Sequence, residues 1–231
     1  MFKVILWDID NTLLDFFLAE HNSLNNRFKE YGLGECTLEA AARFDKINVK
    51  YWESIEKGTL TRENALTGRF KEFFEKEGIS FDDCKSFNTA FETGLADDVF
   101  LVENGYDTVK TLKGKYKQYA VTNGAVDVQN LRLKKSGFDK LFDGVFISEG
   151  IGFEKPSKEF FDYVLKRIVP CKKDEIIIIG DSLTSDMLGG NNAKIKTCWY
   201  NPKGNVNSRE VSIDYEIKSF DEVLKILKGT E

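Results

Sequence analysis

Four consecutive isoleucines, Ile176, Ile177, Ile178 and Ile179, run straight into Gly180 and Asp181, and they restrict the fold more than any other feature of the chain. A strand that is apolar at every position needs cover on both faces, which is the situation of a strand inside a parallel sheet. Short apolar runs recur at residues 2–7, 119–122, 144–147 and 196–200. Between them lie segments with helical spacing, at residues 106–113, 126–135, 158–168 and 185–192, and a last one at 220–228. Strand–helix alternation of this kind predicts an α/β fold built on a doubly wound parallel sheet.

Residues 16–93 read differently. Apolar positions there follow helical spacing, as in Phe70, Phe73 and Phe74, and Gly32, Gly34, Gly58, Gly78 and Gly94 punctuate the pattern. The expected organisation is a core domain of residues 1–15 and 94–231, with a helical subdomain, residues 16–93, inserted after the first strand. About half of the 19 phenylalanines fall in the insertion, where they are expected to form its core. Phe16, Phe17 and Trp52 are the aromatic candidates for a ligand-facing position.

Charge narrows the function. Acidic residues outnumber basic ones, 38 to 33, for a formal charge of -5. A nucleic-acid binder would show the opposite sign or a basic block, so a polymer partner is not expected. Apolar runs are far too short to span a bilayer, and Asp8 interrupts any signal-peptide layout at the start. The expectation is a cytoplasmic protein, a monomer or weak homodimer, acting on a small molecule. Cys36, Cys84, Cys171 and Cys198 are scattered and read as reduced thiols. His21 is the only histidine, which removes most histidine-based zinc sites and Ser-His-Asp triads; it reads as an ordinary helix residue.

Chemistry gathers at the strand ends. In an open parallel sheet, ligands bind outside the carboxyl ends of the strands. Asp8 sits at that end of the first run, and Asp10 follows two residues on, so in extended backbone both carboxylates face one way. Two such carboxylates repel unless a cation is near, and hard oxygen ligands suit Mg2+. A turn in which Asp8 caps the following helix is the plainer explanation. The isoleucine run delivers Asp181 and, five residues later, Asp186, which also fits the positive end of a helix. Thr122, Asn123 and Gly124 end another run and offer neutral donors to an anion, or an ordinary turn. Lys155 precedes Pro156 and a helix start; a cation there makes sense if an anion lies between them, and a solvated lysine paired with Glu154 is the alternative. Three carboxylates, neutral donors and a lysine together form an inventory for phosphoryl transfer.

The four segments, in this order, resemble the motifs of the haloacid dehalogenase superfamily: Asp8-Ile9-Asp10-Asn11-Thr12, Thr122-Asn123-Gly124, Lys155-Pro156, and Gly180-Asp181-Ser182 through Asp186. They extend over the chain to about residue 200. The resemblance implies a Rossmann-like core and reads residues 16–93 as a helical cap that closes over substrate. True dehalogenases of that family usually lack the second aspartate and need no Mg2+, so Asp10 argues for a phosphatase. Tyr51-Trp52, residues 64–74 and 182–190, and Cys198-Trp199 are similar to the pyrimidine 5'-nucleotidase branch of the family. One departure is Val102-Glu103-Asn104-Gly105, where the family often has a proline before the glycine.

Carried over from the family, Asp8 is the expected nucleophile that forms an aspartyl phosphate, and Asp10 the general acid and base. Thr122, Asn123 and Lys155 are expected to hold the phosphoryl oxygens. Mg2+ is the expected cofactor, held by Asp8, Asp10 through its main-chain carbonyl, and Asp181, with Asp186 orienting the metal's ligands. The implied reaction is hydrolysis of a phosphomonoester, most narrowly a pyrimidine nucleoside 5'-monophosphate. The alternatives are a sugar-phosphate phosphatase or phosphomutase of the same superfamily, then a 2-haloacid dehalogenase or a non-catalytic binding protein.

Overall fold

A computed structural model describes residues 1–228. Six strands form one parallel sheet: β1 (Val4–Trp7), β2 (Lys117–Thr122), β3 (Gly144–Ile147), β4 (Ile176–Gly180), β5 (Lys196–Tyr200) and β6 (Tyr215–Ile217). Their spatial order is β3-β2-β1-β4-β5-β6. This is the doubly wound, Rossmann-like order, in which the winding reverses beside β1. Among the described residues ten α-helices accompany them: α1 (Phe16–Glu30), α2 (Leu38–Glu56), α3 (Arg62–Glu77), α4 (Cys84–Gly94), α5 (Gly105–Leu112), α6 (Val126–Ser136), α7 (Ser148–Ile151), α8 (Lys158–Leu165), α9 (Leu188–Ala193) and α10 (Asp221–Lys228).

The continuous apolar runs behave as their composition demands. All four residues of β1 and all five of β4 are buried. Val4, Leu6, Ile176 and Ile178 point to one face, where they pack with Phe160, Phe161 and Val164 of α8. On the other face Trp7 meets Phe220, just ahead of α10, at 6.1 Å between ring centroids. Trp7 Nε1 donates to Gln118 Oε1 at 3.0 Å, so the one polar atom of the buried indole is satisfied. Register carries this order to the strand ends. Trp7 lies beside Ala120 and Ile179, so Asp8, Thr122 and Asp181 emerge from neighbouring strands at one end of the sheet.

By backbone contacts the chain divides into two compact units, Met1–Asp15 with Leu101–Glu231, and Phe16–Phe100. The second is all helical, α1 to α4. Its core is phenylalanine: Phe28, Phe44, Phe70, Phe73, Phe74, Phe87 and Phe91 are buried, and Phe44 stacks on Phe70 with centroids 4.8 Å apart. Phe16, Phe17 and Trp52 are half-buried. A buried polar chain crosses all four helices. Asn48 Nδ2 donates to Glu20 Oε1 at 2.6 Å, and Arg69 donates to Asn48 Oδ1 and Asn88 Oδ1, each at 2.7 Å.

Two elements differ from the sequence expectations, and one departure from the family pattern finds its reason in the backbone. β6 is an additional edge strand, too short and too exposed to leave an apolar run. The segment expected as a helix over 185–192 opens with a π-helical turn, Leu183–Met187, before α9. Asn104 adopts φ 60° ahead of α5, a conformation closed to proline, which accounts for the departure from the family pattern there. The four cysteines are free, and His21 sits on α1 with Nε2 3.3 Å from the Cys36 carbonyl oxygen. Among the described residues, no helix is long and apolar enough to cross a membrane.

Candidate active site

β1 and β4 lie side by side where the strand order reverses, which is where open α/β sheets bind ligands. Asp8 follows β1 directly, and its amide still pairs with Ile179 of β4, donating to the carbonyl oxygen at 2.9 Å. Both carboxylate oxygens of Asp8 are held. Lys155 Nζ donates to Oδ1 at 2.7 Å, and the Thr12 hydroxyl donates to Oδ2 at 2.8 Å. Thr12 Oγ1 also accepts from the Asp181 amide at 3.1 Å, so one hydroxyl ties the ends of β1 and β4 together.

Lys155 is 1% exposed, and its ammonium reaches three oxygens: Asp8 Oδ1, Asp186 Oδ1 at 2.7 Å, and the Val121 carbonyl at 2.9 Å. These use all three of its donors. The burial rules out a solvated lysine paired with Glu154. Burial alone would lower the Lys155 pKa, but Asp186 and Asp8 outweigh it and hold the ammonium above its ordinary range. Burial pushes Asp186 upward, aided by the charge of Asp8 and opposed by Lys155.

Asp8, Asp181 and Asp186 each present a carboxylate oxygen, all within 4.8 Å of one another. The hydrogen bonds of Asp181 come from its backbone: its carbonyl accepts from Trp199 Nε1 at 2.8 Å, fixing the loop after β4. Its carboxyl is raised well above the usual range, first by burial and then by Asp8 and Asp186. Gly180 makes the approach of Asp186 feasible, since a Cβ at that position would fall 2.3 Å from Asp186 Oδ2.

Asp10 does not join this cluster. The extended backbone ends at Trp7, and a turn over Ile9 to Leu14, with Asn11 at φ 58°, breaks the alternation expected to aim both aspartates together. Its side chain, 23% exposed, forms an ion pair with Arg132 and accepts from Gln129 Nε2 at 3.0 Å. Burial raises the Asp10 pKa; Arg132 opposes that, and Asp8 adds to it.

Thr122 closes β2 and is fully buried; its Oγ1 accepts from Gln129 Nε2 at 2.6 Å. The side chain of Asn123 splints two loops. Its Oδ1 accepts from the Lys155 amide at 2.9 Å, and its Nδ2 donates to the Lys155 carbonyl at 3.0 Å. Each edge of the carboxamide thus makes one hydrogen bond to Lys155, and the second N–H of Nδ2 is not used by these bonds.

The residues fit a divalent cation. Three carboxylates, Asp8, Asp181 and Asp186, bring oxygens together around a single buried ammonium, Lys155. Clustered hard oxygen donors of this kind are the coordination chemistry of Mg2+. The sequence motifs pointed to every member of this site except Gln129 and Arg132, two polar side chains on a polar helix.

This site on this fold is that of a haloacid dehalogenase-like hydrolase. The family model of that description matches residues 5–200, and the chain belongs to the family. Among its relatives is the HAD-hydrolase YfnB of Bacillus subtilis, 34% identical over 98% of this chain and 95% of the relative. The pyrimidine 5'-nucleotidase PynA of Streptococcus pneumoniae is 32% identical over 98% of this chain and 95% of its own. The crystal structure of YfnB bound to magnesium superposes with a TM-score of 0.92, covering 98% of each chain.

Proposed function

We propose that this hydrolase is a Mg2+-dependent phosphomonoesterase that acts through a phospho-Asp8 intermediate, with pyrimidine nucleoside 5'-monophosphates as its main substrates. The observation that carries the reading is Asp8 itself: a nearly buried carboxylate at the switch point, held on one oxygen by Lys155 and on the other by Thr12, with the Asp181 and Asp186 carboxyls beside it. A carboxylate fixed in that way is oriented for in-line attack on phosphorus. The nucleotide preference draws its support from PynA and from the pyrimidine 5'-nucleotidase YjjG of Escherichia coli, 27% identical over 96% of both chains.

In this reading Asp8, the main-chain carbonyl of Asp10 and Asp181 hold Mg2+, which when bound neutralises the phosphate so that an anionic nucleophile can approach. Asp8 attacks phosphorus, and the P–O bond to the leaving alcohol breaks. Asp10 enters this step protonated and gives its proton to the departing oxygen. It then takes a proton from the water that hydrolyses the acyl phosphate and restores Asp8. The Thr122 hydroxyl and the Asn123 amide receive phosphoryl oxygens. Lys155 contributes its charge and can exchange one of its three protein acceptors for a phosphoryl oxygen. Asp186 holds Lys155 and orients the metal's ligands from behind.

The test is phosphate release from a panel of nucleoside monophosphates and sugar phosphates, with Mg2+ and with EDTA. Release should need Mg2+, favour pyrimidine nucleotides, and fall by roughly 10^4-fold or more in Asp8→Asn, with the fold intact by circular dichroism. Substantial turnover in Asp8→Asn sinks the nucleophile assignment. Release confined to sugar phosphates refutes the nucleotide preference.

A further inference from the structure

Gln129 and Arg132 lie one turn apart on α6, both buried, and neither belongs to the four motifs. Their hydrogen bonds run in a fixed direction. Arg132 carries donors only. Its Nη1 donates to Gln129 Oε1 at 2.8 Å and to Asp10 Oδ1. With Oε1 taken up as an acceptor, the carboxamide cannot be turned over, and its NH2 group faces the strand ends. That NH2 donates to Thr122 Oγ1 at 2.6 Å and to Asp10 Oδ2 at 3.0 Å. A hydroxyl that accepts from an amide keeps its own proton for another acceptor. The protein acceptor offered to that proton is the Asn123 carbonyl at 3.5 Å, the outer limit of a hydrogen bond. Gly124 belongs to the same arrangement, since a Cβ there would come within 2.9 Å of Gln129 Cγ.

We infer that Gln129 and Arg132 are positioning residues: they set the polarity of the Thr122 hydroxyl, so that it donates to a phosphoryl oxygen, and they hold the Asp10 carboxyl from the same helix. This rests on the phosphomonoesterase reading. A simple counter-ion for Asp10 would need Arg132 alone. The Arg132–Gln129–Thr122 relay does more, because it links the phosphate donor and the acid–base group through one carboxamide.

The test compares wild type with Gln129→Met, Gln129→Glu, Arg132→Met and Arg132→Lys. Three quantities are measured: kcat with Mg2+, calorimetric affinity for inorganic phosphate in Mg2+, and calorimetric affinity for Mg2+ alone. Either Gln129 variant should lose roughly 10^2-fold in kcat, the usual cost of one misdirected transition-state donor. Phosphate affinity should drop about tenfold or more, the loss of one hydrogen bond to a charged group. Gln129→Met should keep its Mg2+ affinity, with its unfolding temperature down by only a few degrees for the acceptor lost to Arg132, and Arg132→Lys, which keeps the charge and a terminal donor nitrogen, should recover part of what Arg132→Met loses. Gln129 variants that bind phosphate and turn over like wild type overturn the inference. Phosphate affinity, Mg2+ affinity and unfolding temperature falling in step in Gln129→Met also overturn it, because the role is then only structural. A wild type that neither releases nor binds phosphate refutes the phosphomonoesterase reading, and this inference with it; the two failures thus appear in different arms.

Discussion

A single methyl group measures how tightly the acidic cluster is drawn. The Cβ of Gly180→Ala would meet Asp186 at Oδ2, Cγ and Cβ, all within 2.8 Å, and Asp186 is fixed in turn by Lys155 and the Ser182 amide. Overpacking of this kind costs about 1–3 kcal/mol. Urea unfolding of Gly180→Ala should show that loss, and Mg2+ titration should show weaker binding, because Asp186 and Lys155 must shift together. Wild-type values in both would mean the carboxylate has room to move. At this scale much was legible in the sequence. Asp8 and Asp181 end apolar runs, where a charge beside a buried strand has few innocent explanations, and Lys155 stands ahead of Pro156 at a helix start. Gln129 and Arg132 were not legible. They share α6 with Asn130, Lys134 and Lys135, and a polar side chain that turns inward leaves the same letter as one that turns outward. The trace they leave is an i, i+3 pair on the same stripe as buried Leu133.

Elements were legible where the period was clean. Five strands follow their apolar runs, while β6, with two of its three residues exposed, had no run to follow. The phenylalanine core of α1 to α4 followed from helical spacing. The polar chain through that core did not, because Glu20, Asn48 and Arg69 come from three helices far apart in sequence. Glu20 is fully buried. Burial first, and then the charge of Asp45, raise its pKa well above 4.5, with Arg69 opposing them. A carboxyl raised on folding supports the native state below its unfolded pKa, and that support is lost as pH rises through the folded value. The wild type should therefore lose stability as pH climbs from 4.5 through the raised value of Glu20. Glu20→Gln carries no such proton. Its unfolding free energy should approach that of wild type near the acid end of this window and exceed it at the alkaline end. Parallel pH profiles for the two proteins would show that Glu20 does not titrate in this way.

For the whole molecule, one topological fact positions the chemistry. The order β3-β2-β1-β4-β5-β6 makes the two strands that carry Asp8 and Asp181 neighbours, although they are separated by more than half of the chain. Sequence alternation predicted the parallel sheet, and the family resemblance implied a Rossmann-like core without naming the order of its strands. The substrate was less legible for a physical reason. In the proposed mechanism all four motifs address the phosphoryl group, which every phosphomonoester shares, so none of them encodes the leaving alcohol. The central claim is that phosphorus passes through Asp8. It is tested most directly by acid-quenching the enzyme during turnover of a pyrimidine nucleoside monophosphate in Mg2+, reducing with borohydride, and sequencing the N-terminal peptide by mass spectrometry. An acyl phosphate is reduced where a free carboxylate is not, so homoserine should appear at position 8 and disappear when Mg2+ is withheld. Phosphate release with Asp8 unmodified throughout, or with the label on another carboxylate, would contradict the account.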